Sequence, residues 1–219
     1  MRKNSLVMIL AVAAMTFAFT GCGKSAEEVP ADFMPSSFVE EQALKETFES
    51  FDELISYLEP GQGYAYCNIY GRDDEVLFIC DESYSYEEGK MAAIDGSIYA
   101  NQDGIIRNVG NVFSDGTAYP ISLNSEGYIF TGGNHRMEVG CASAEYGGYM
   151  IVKTSWESFD NESSDADGNP LAEYTGFVRE TNSVSKDSVD IAPDDASVLH
   201  ELFEEFNNDT TPIYFTIVG

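Results

Sequence analysis

Apolar residues run almost unbroken from Leu6 to Phe19, with Thr16 the one interruption. The run follows a charged start, Met1-Arg2-Lys3-Asn4-Ser5. At the rise of an α-helix it spans about 21 Å, short of the roughly 30 Å of a bilayer core. Its length and flanks are those of a secretory h-region, so residues 1–21 read as a signal peptide. The next stretch, to residue 36, carries Pro30 and Pro35 and no sustained period, and reads as a tether.

A helical period begins after it. Ser37-Phe38-Val39-Glu40 has capping-box spacing, and Leu44, Phe48, Phe51, Ile55 and Leu58 then lie on one helical stripe. Ser50-Phe51-Asp52-Glu53 is a second capping box, where the helix can break and restart, and Pro60-Gly61 stops it. From Gly63 the texture changes. Segments rich in Tyr, Ile, Val and Phe alternate with turns such as Asn101-Gln102-Asp103-Gly104, Asn124-Ser125-Glu126-Gly127 and Thr131-Gly132-Gly133-Asn134. Glycine accepts positive φ without steric cost, so these turns favour hairpins, and their spacing is that of a meander. The pattern predicts strands near 63–70, 75–82, 91–100, 105–113, 118–123, 127–131, 135–143, 148–154 and 174–180. The acidic segment 157–170 reads as a loop, and 181–193 as a second irregular stretch.

A last helix is predicted after Pro193, capped by Asp194 or Asp195 and ended by Asn207-Asn208-Asp209. Its stripe is Val198, Leu199, Leu202, Phe203 and Phe206, and Pro212–Val218 follows as a final strand. The expectation is one α+β domain over residues 37–219: a curved antiparallel meander of about nine or ten strands with a helix near each end.

Composition sharpens this. The chain holds 38 acidic and 11 basic residues, a formal net charge of −27, and loss of Arg2 and Lys3 with the signal peptide takes it to −29. Such a charge repels phosphate backbones, which argues against nucleic acid as a partner. Aromatic residues make up 13% of the chain, a folded and β-leaning composition.

Phe19-Thr20-Gly21-Cys22 stands where cleavage is expected. It resembles the lipobox of bacterial lipoproteins over residues 1–22, departing from it at Phe19, where a leucine-like residue is usual. The resemblance implies a diacylglycerol thioether on Cys22, a new N-terminus there, and a protein lipid-anchored on the extracytoplasmic face of the cell membrane. Two acyl chains suffice for stable anchoring. The region beyond Cys22 resembles only uncharacterised lipoproteins of anaerobic Gram-positive bacteria, and that likeness implies no activity.

Candidate chemistry is sparse. No G-x-S-x-G elbow, H-E-x-x-H pair or P-loop occurs, so no catalytic residue is assigned. His135 follows Gly132-Gly133-Asn134 at a strand mouth, as an acid, base or ligand or simply a turn residue. His200 lies opposite the apolar stripe of the last helix and reads as exposed. Ser163-Ser164-Asp165-Ala166-Asp167-Gly168 resembles half of an EF-hand loop but lacks its first carboxylate and its last glutamate, so no metal is assigned. No cofactor is called for. Tyr64, Tyr66, Asn68 and Tyr70 alternate and so share one strand face, either a ligand face or core.

If Asp73-Asp74 is the turn between 63–70 and 75–82, Cys67 faces Cys80 directly. A disulfide there is one outcome; buried small apolar thiols, with Cys141, are the other. The function expected is a cell-surface binding or interaction module whose extracellular ligand or protein partner is unspecified. The alternative is an envelope-associated hydrolase working through surface carboxylates.

Overall fold

Ser50 starts the first helix. Its Oγ accepts from the Glu53 backbone N–H at 3.1 Å, and Glu53 Oε2 accepts from the Glu49 N–H at 2.7 Å. The second of the expected capping boxes therefore does start a helix. This geometry comes from a computed structural model, which describes residues 46–143, 147–178, 189–190 and 196–219. The signal peptide, Cys22, the tether and the first half of the expected N-terminal helix lie outside the described residues, as do Asp194 and Asp195.

The elements are β1 (Thr47–Phe48), α1 (Phe51–Ser56), β2 (Gly63–Cys67), β3 (Val76–Cys80), β4 (Tyr84–Glu87), β5 (Lys90–Ala92), β6 (Asp95–Gln102), β7 (Ile105–Phe113) and β8 (Ser122–Asn124). They continue with β9 (Ile129–Gly133), β10 (Arg136–Ser143), β11 (Gly148–Ser164), β12 (Pro170–Val178), β13 (Val189–Asp190), α2 (Ser197–Asp209), β14 (Thr210–Pro212) and β15 (Thr216–Ile217). The structure is mainly antiparallel β, with a sheet curled into a half-barrel. One sheet has strand order β1-β7-β6-β3-β2-β15, the other β13-β12-β11-β10-β9-β8-β14, and β4-β5 form a separate hairpin.

Alternation along the strands sorts the apolar residues into three packed groups. Val76, Phe78, Cys80, Ile98 and Val112 of the first sheet meet Ile129 and Ala142 of the second, forming the core between the sheets. Leu77 and Ile79 point the other way, against Leu54 of α1. Phe130, Met137, Val139 and Cys141 form the second sheet's other face and pack on Leu199, Leu202 and Phe206 of α2. The two helices thus cover opposite outer faces of a two-sheet stack.

Several expectations change. Phe48 is not helical. It pairs with Ile106 in β1–β7 and reaches the same core from a strand, while Ser50 restarts the chain as helix. The helix α2 has Ala196 as its N-cap residue, with no side-chain cap bond, and its predicted end at Asp209 is where it stops. The expected strand 91–100 divides into β5 and β6. The predicted final strand divides too: β14 pairs with β8 and β15 with β2. The segment between them crosses from one sheet to the other because Ile213 and Phe215 are buried in the core that separates them.

The strands around Cys67 and Cys80 pair as expected, but in another register: Cys67 faces Val76 and Gly63 faces Cys80. The two cysteines share a face yet stand four residues apart along the ladder, roughly 13 Å, beyond the reach of a disulfide. Both are free, as is Cys141. Asp73-Asp74 is not a tight turn, because the segment before it leaves the first sheet to bond the second. Tyr70 N donates to Gly127 O at 2.8 Å, and Tyr70 O accepts from Ala142 N at 2.9 Å. Arg72 then ties the loop, donating to both Asp74 carboxylate oxygens at 3.0 and 2.9 Å and to Asn101 O at 2.7 Å.

The predicted acidic loop 157–170 is also mostly strand. It forms the arms of the β11–β12 hairpin, and only 165–169 are turn. Asp165 builds that turn. Its Oδ1 accepts from the N–H groups of Asp167 and Asn169 at 2.9 Å each, and Oδ2 accepts from Asn169 Nδ2 at 3.0 Å. Those bonds hold its carboxyl below the usual range. The Asp-Gly pair that suggested half a calcium loop is the pivot of a hairpin, with Gly168 at φ +86°.

Candidate functional site

The β9–β10 hairpin turns through Asn134-His135, with Gly133 opposite Arg136. Around its tip opens a groove of about 850 Å³. Trp156, the cross-strand neighbour of Arg136, forms one side, and the 115–119 loop forms the other. That loop is anchored at its start. Ser114 is fully buried and donates through its N–H to Ile94 O at 2.7 Å, while its Oγ accepts from Gly132 N at 3.1 Å. Asp115 N donates to Gly132 O at 2.7 Å. Gly133 lets the loop come close: a Cβ there would lie 2.7 Å from both Asp115 Cβ and Oδ2.

The polar groups fall into two sets. In the first, His135 Nδ1 lies 2.7 Å from Glu157 Oε1. The two residues are also joined by Glu157 N donating to His135 O at 2.9 Å. The Tyr174 hydroxyl is raised above its ordinary range by burial first, and then by its hydrogen bond to the same Glu157 carboxylate. A carboxylate accepts only, so in the neutral imidazole it places the proton on Nδ1 and leaves Nε2 as an acceptor. Phe159 stands edge-on to the His135 ring at 5.3 Å.

In the second set, Arg136 sits between two carboxylates. Nη1 is 3.5 Å from Glu138 Oε1, Nη2 is 3.5 Å from Asp115 Oδ1, and Nε is 3.3 Å from Asp115 Oδ2. The buried Nε has charge contact with Asp115 but not hydrogen-bond alignment. A guanidinium has five N–H donors, and contacts this long leave much of that capacity unspent.

Trp156 is 36% exposed and is the chain's one tryptophan. The groove therefore combines a partly open indole face, a carboxylate-oriented imidazole, and a guanidinium flanked by acids. Among the described residues, no group of three or more His, Cys, Asp or Glu side chains is arranged to hold a metal ion.

The tyrosine face expected from 64–70 does not exist as one surface. Tyr64 and Tyr66 do lie side by side, 6.3 Å apart, on the α1 side of β2, where Tyr66 also meets Phe51 at 5.7 Å. Asn68 is past the end of β2 and exposed. Tyr70 has crossed to the second sheet, where it stacks on Tyr128 at 4.3 Å. His200 is exposed on α2.

Of the groove residues, sequence reading singled out His135 alone. Trp156 and Glu157 bounded a stretch whose acidic content suggested a loop. The signal that could have found them is the Asp167-Gly168 turn pair, which marks the tip of a long hairpin and makes 148–164 its first arm. No protein-family model matches the chain, and no curated protein and no solved structure matches it.

Proposed function

We propose that the chain is exported, lipidated at Cys22 and held on the extracytoplasmic face of the cell membrane, where its folded part binds a ligand in the Trp156 groove. In this reading residues 37–219 are a single α+β domain on a short tether, and nucleic acid is not a partner. Export and anchoring rest on the charged start, the apolar run Leu6–Phe19 and Thr20-Gly21-Cys22. Binding rests on one observation above all: a groove of ligand size lined by the partly exposed Trp156, by under-used Arg136 donors and by three carboxylates.

The His135–Glu157 contact favours a second reading, an envelope-associated hydrolase with His135 as general base oriented by Glu157. Binding is preferred because the imidazole is 58% exposed at the rim, and such chemistry gains from exclusion of water.

Two measurements test the proposal. Cys22→Ala should move the protein from the membrane fraction to the soluble one and abolish its lipid-dependent mobility shift; unchanged partitioning refutes the anchor. For the groove, Trp156 emission reports occupancy directly, since no other tryptophan contributes. A panel of saccharides, peptides and anions that leaves this emission unchanged throughout refutes binding there.

A further inference from the structure

We propose that the ligand of this groove is a neutral, hydroxyl-rich saccharide, seated with one sugar ring on the indole of Trp156. The inference rests on the reading of the groove as a binding site and narrows it to a chemical class.

Charge comes first. Asp115, Glu138 and Glu157 surround the groove, and the chain as a whole carries −27, so an anion is repelled on approach. A cation entering the groove meets the Arg136 guanidinium lying between Asp115 and Glu138. A cation is attracted by the same field, but each of the three carboxylates already has a partner, Arg136 for Asp115 and Glu138 and His135 for Glu157. A sugar hydroxyl donates one hydrogen bond and accepts two, so adjacent hydroxyls can give to a carboxylate and take from the guanidinium at once. The two Arg136 Nη contacts, 3.5 Å each, are those of donors that a ligand oxygen can improve on. His135, with Nδ1 committed to Glu157, adds an acceptor at Nε2.

Trp156 supplies the apolar half. The face of an indole ring is electron-rich, and the C–H groups on one side of a pyranose carry the complementary partial charge. A peptide strand is disfavoured by the topology. Strand addition needs an open edge, and at Trp156 the β11 backbone is already paired on both sides, with Arg136 of β10 and Thr175 of β12.

The test uses the folded protein and the emission of Trp156. The probes are neutral β-1,4-linked tetrasaccharides of glucose, N-acetylglucosamine, mannose and xylose. A lysine-rich hexapeptide, a glutamate-rich hexapeptide and a sulfated oligosaccharide stand beside them. At least one neutral tetrasaccharide should give a saturable emission change with a dissociation constant tighter than about 1 mM. By calorimetry, Trp156→Ala should weaken that binding by about tenfold or more. Tyr66→Ala, on the opposite side of the molecule's first sheet, should change it by less than about twofold.

Should Trp156→Ala unfold, as judged by circular dichroism, the half-exposed Asp115→Ala replaces it with the same expectation. Saturation by a peptide or by the sulfated probe, with none by neutral sugars, overturns the saccharide and leaves a binding groove. Sugar binding that survives both groove variants overturns the site. Silence from every probe overturns both the saccharide and the binding reading beneath it.

Discussion

Burial decides how the thiols behave. Cys80 and Cys141 are almost fully enclosed, and their thiols are pushed up to about 11, in each case chiefly by burial. Cys67 is only half-buried by area, yet its thiol is pushed up to about 12, by burial first and then by the charge of Glu75. The thiolate is the nucleophile, so a pKa raised from about 9 to 12 lowers the reactive fraction near neutral pH by about a thousandfold. Raising the pH towards 9 therefore adds little thiolate at any of the three. Iodoacetamide at pH 7.5 should leave all three nearly unlabelled in the folded protein and label all three in denaturant. A Cys67–Cys80 linked peptide in a non-reducing digest would contradict both the register and this behaviour. The same scale shows why the groove was hard to read. Its chemistry depends on Asp115 approaching Gly133 and on Glu157 reaching His135, contacts between residues 18 to 22 positions apart. Period and spacing describe neighbours along one element and carry nothing about such encounters.

At the scale of elements, most of the strands were legible, because alternation and glycine turns are local signals. The β6–β7 hairpin needs only Asp103 and Gly104, both at positive φ, and its second strand, 105–113, is the one predicted, while the first begins later than expected because 91–100 divides into β5 and β6. Register was not legible around 68–75, where bonds to the second sheet override the local turn. Nor was the crossing of Tyr149 between layers. Its Cβ lies against Gly110 of β7 and its ring lies over Gly140 of β10, so each glycine is the space the tyrosine fills. The ladder slips beside both glycines, with Val109 and Val152 passed over in β7 and β11. Such bulges bend a strand and increase its twist, which suits a curled sheet. A Cβ on Gly140 would overlap Tyr149 at Cε2, Cζ and Oη. Gly140→Ala should therefore cost about 2 kcal/mol, the usual scale of overpacking, read from the urea midpoint. In a Tyr149→Ala background the same change should cost less than about 0.5 kcal/mol, because the clashing ring is gone. Equal costs in the two backgrounds would show that the glycine serves something other than this ring.

At the scale of the whole molecule, charge governs how stability responds to salt. Even if each of the 11 basic residues were paired with a different carboxylate, 27 of the 38 acidic residues would have no cationic partner. Ion pairs such as Lys90–Glu87 at 2.8 Å and Arg72–Asp74 at 2.9 Å are local and exposed, each worth little. The larger effect is self-repulsion, which disfavours the compact state because folding brings the carboxylates closer together than the unfolded chain does. Asp95 gives a residue-level instance: burial and then the charges of Asp81 and Glu82 raise its carboxyl above the usual range. Screening acts in the stabilising direction here. At 0.01 M salt the Debye length is about 30 Å, comparable to the size of the folded part, and near 0.15 M it is about 8 Å. Moving from 10 to 150 mM sodium chloride at pH 7 should therefore raise Tm by several degrees, with most of the gain complete by the upper value. A protein held chiefly by its salt bridges responds with the opposite sign, since screening weakens attraction as readily as repulsion. Differential scanning calorimetry across that range separates the two, and a Tm that falls with salt would mean that the few cations, Arg136 and Arg72 foremost, outweigh the repulsion of the many anions.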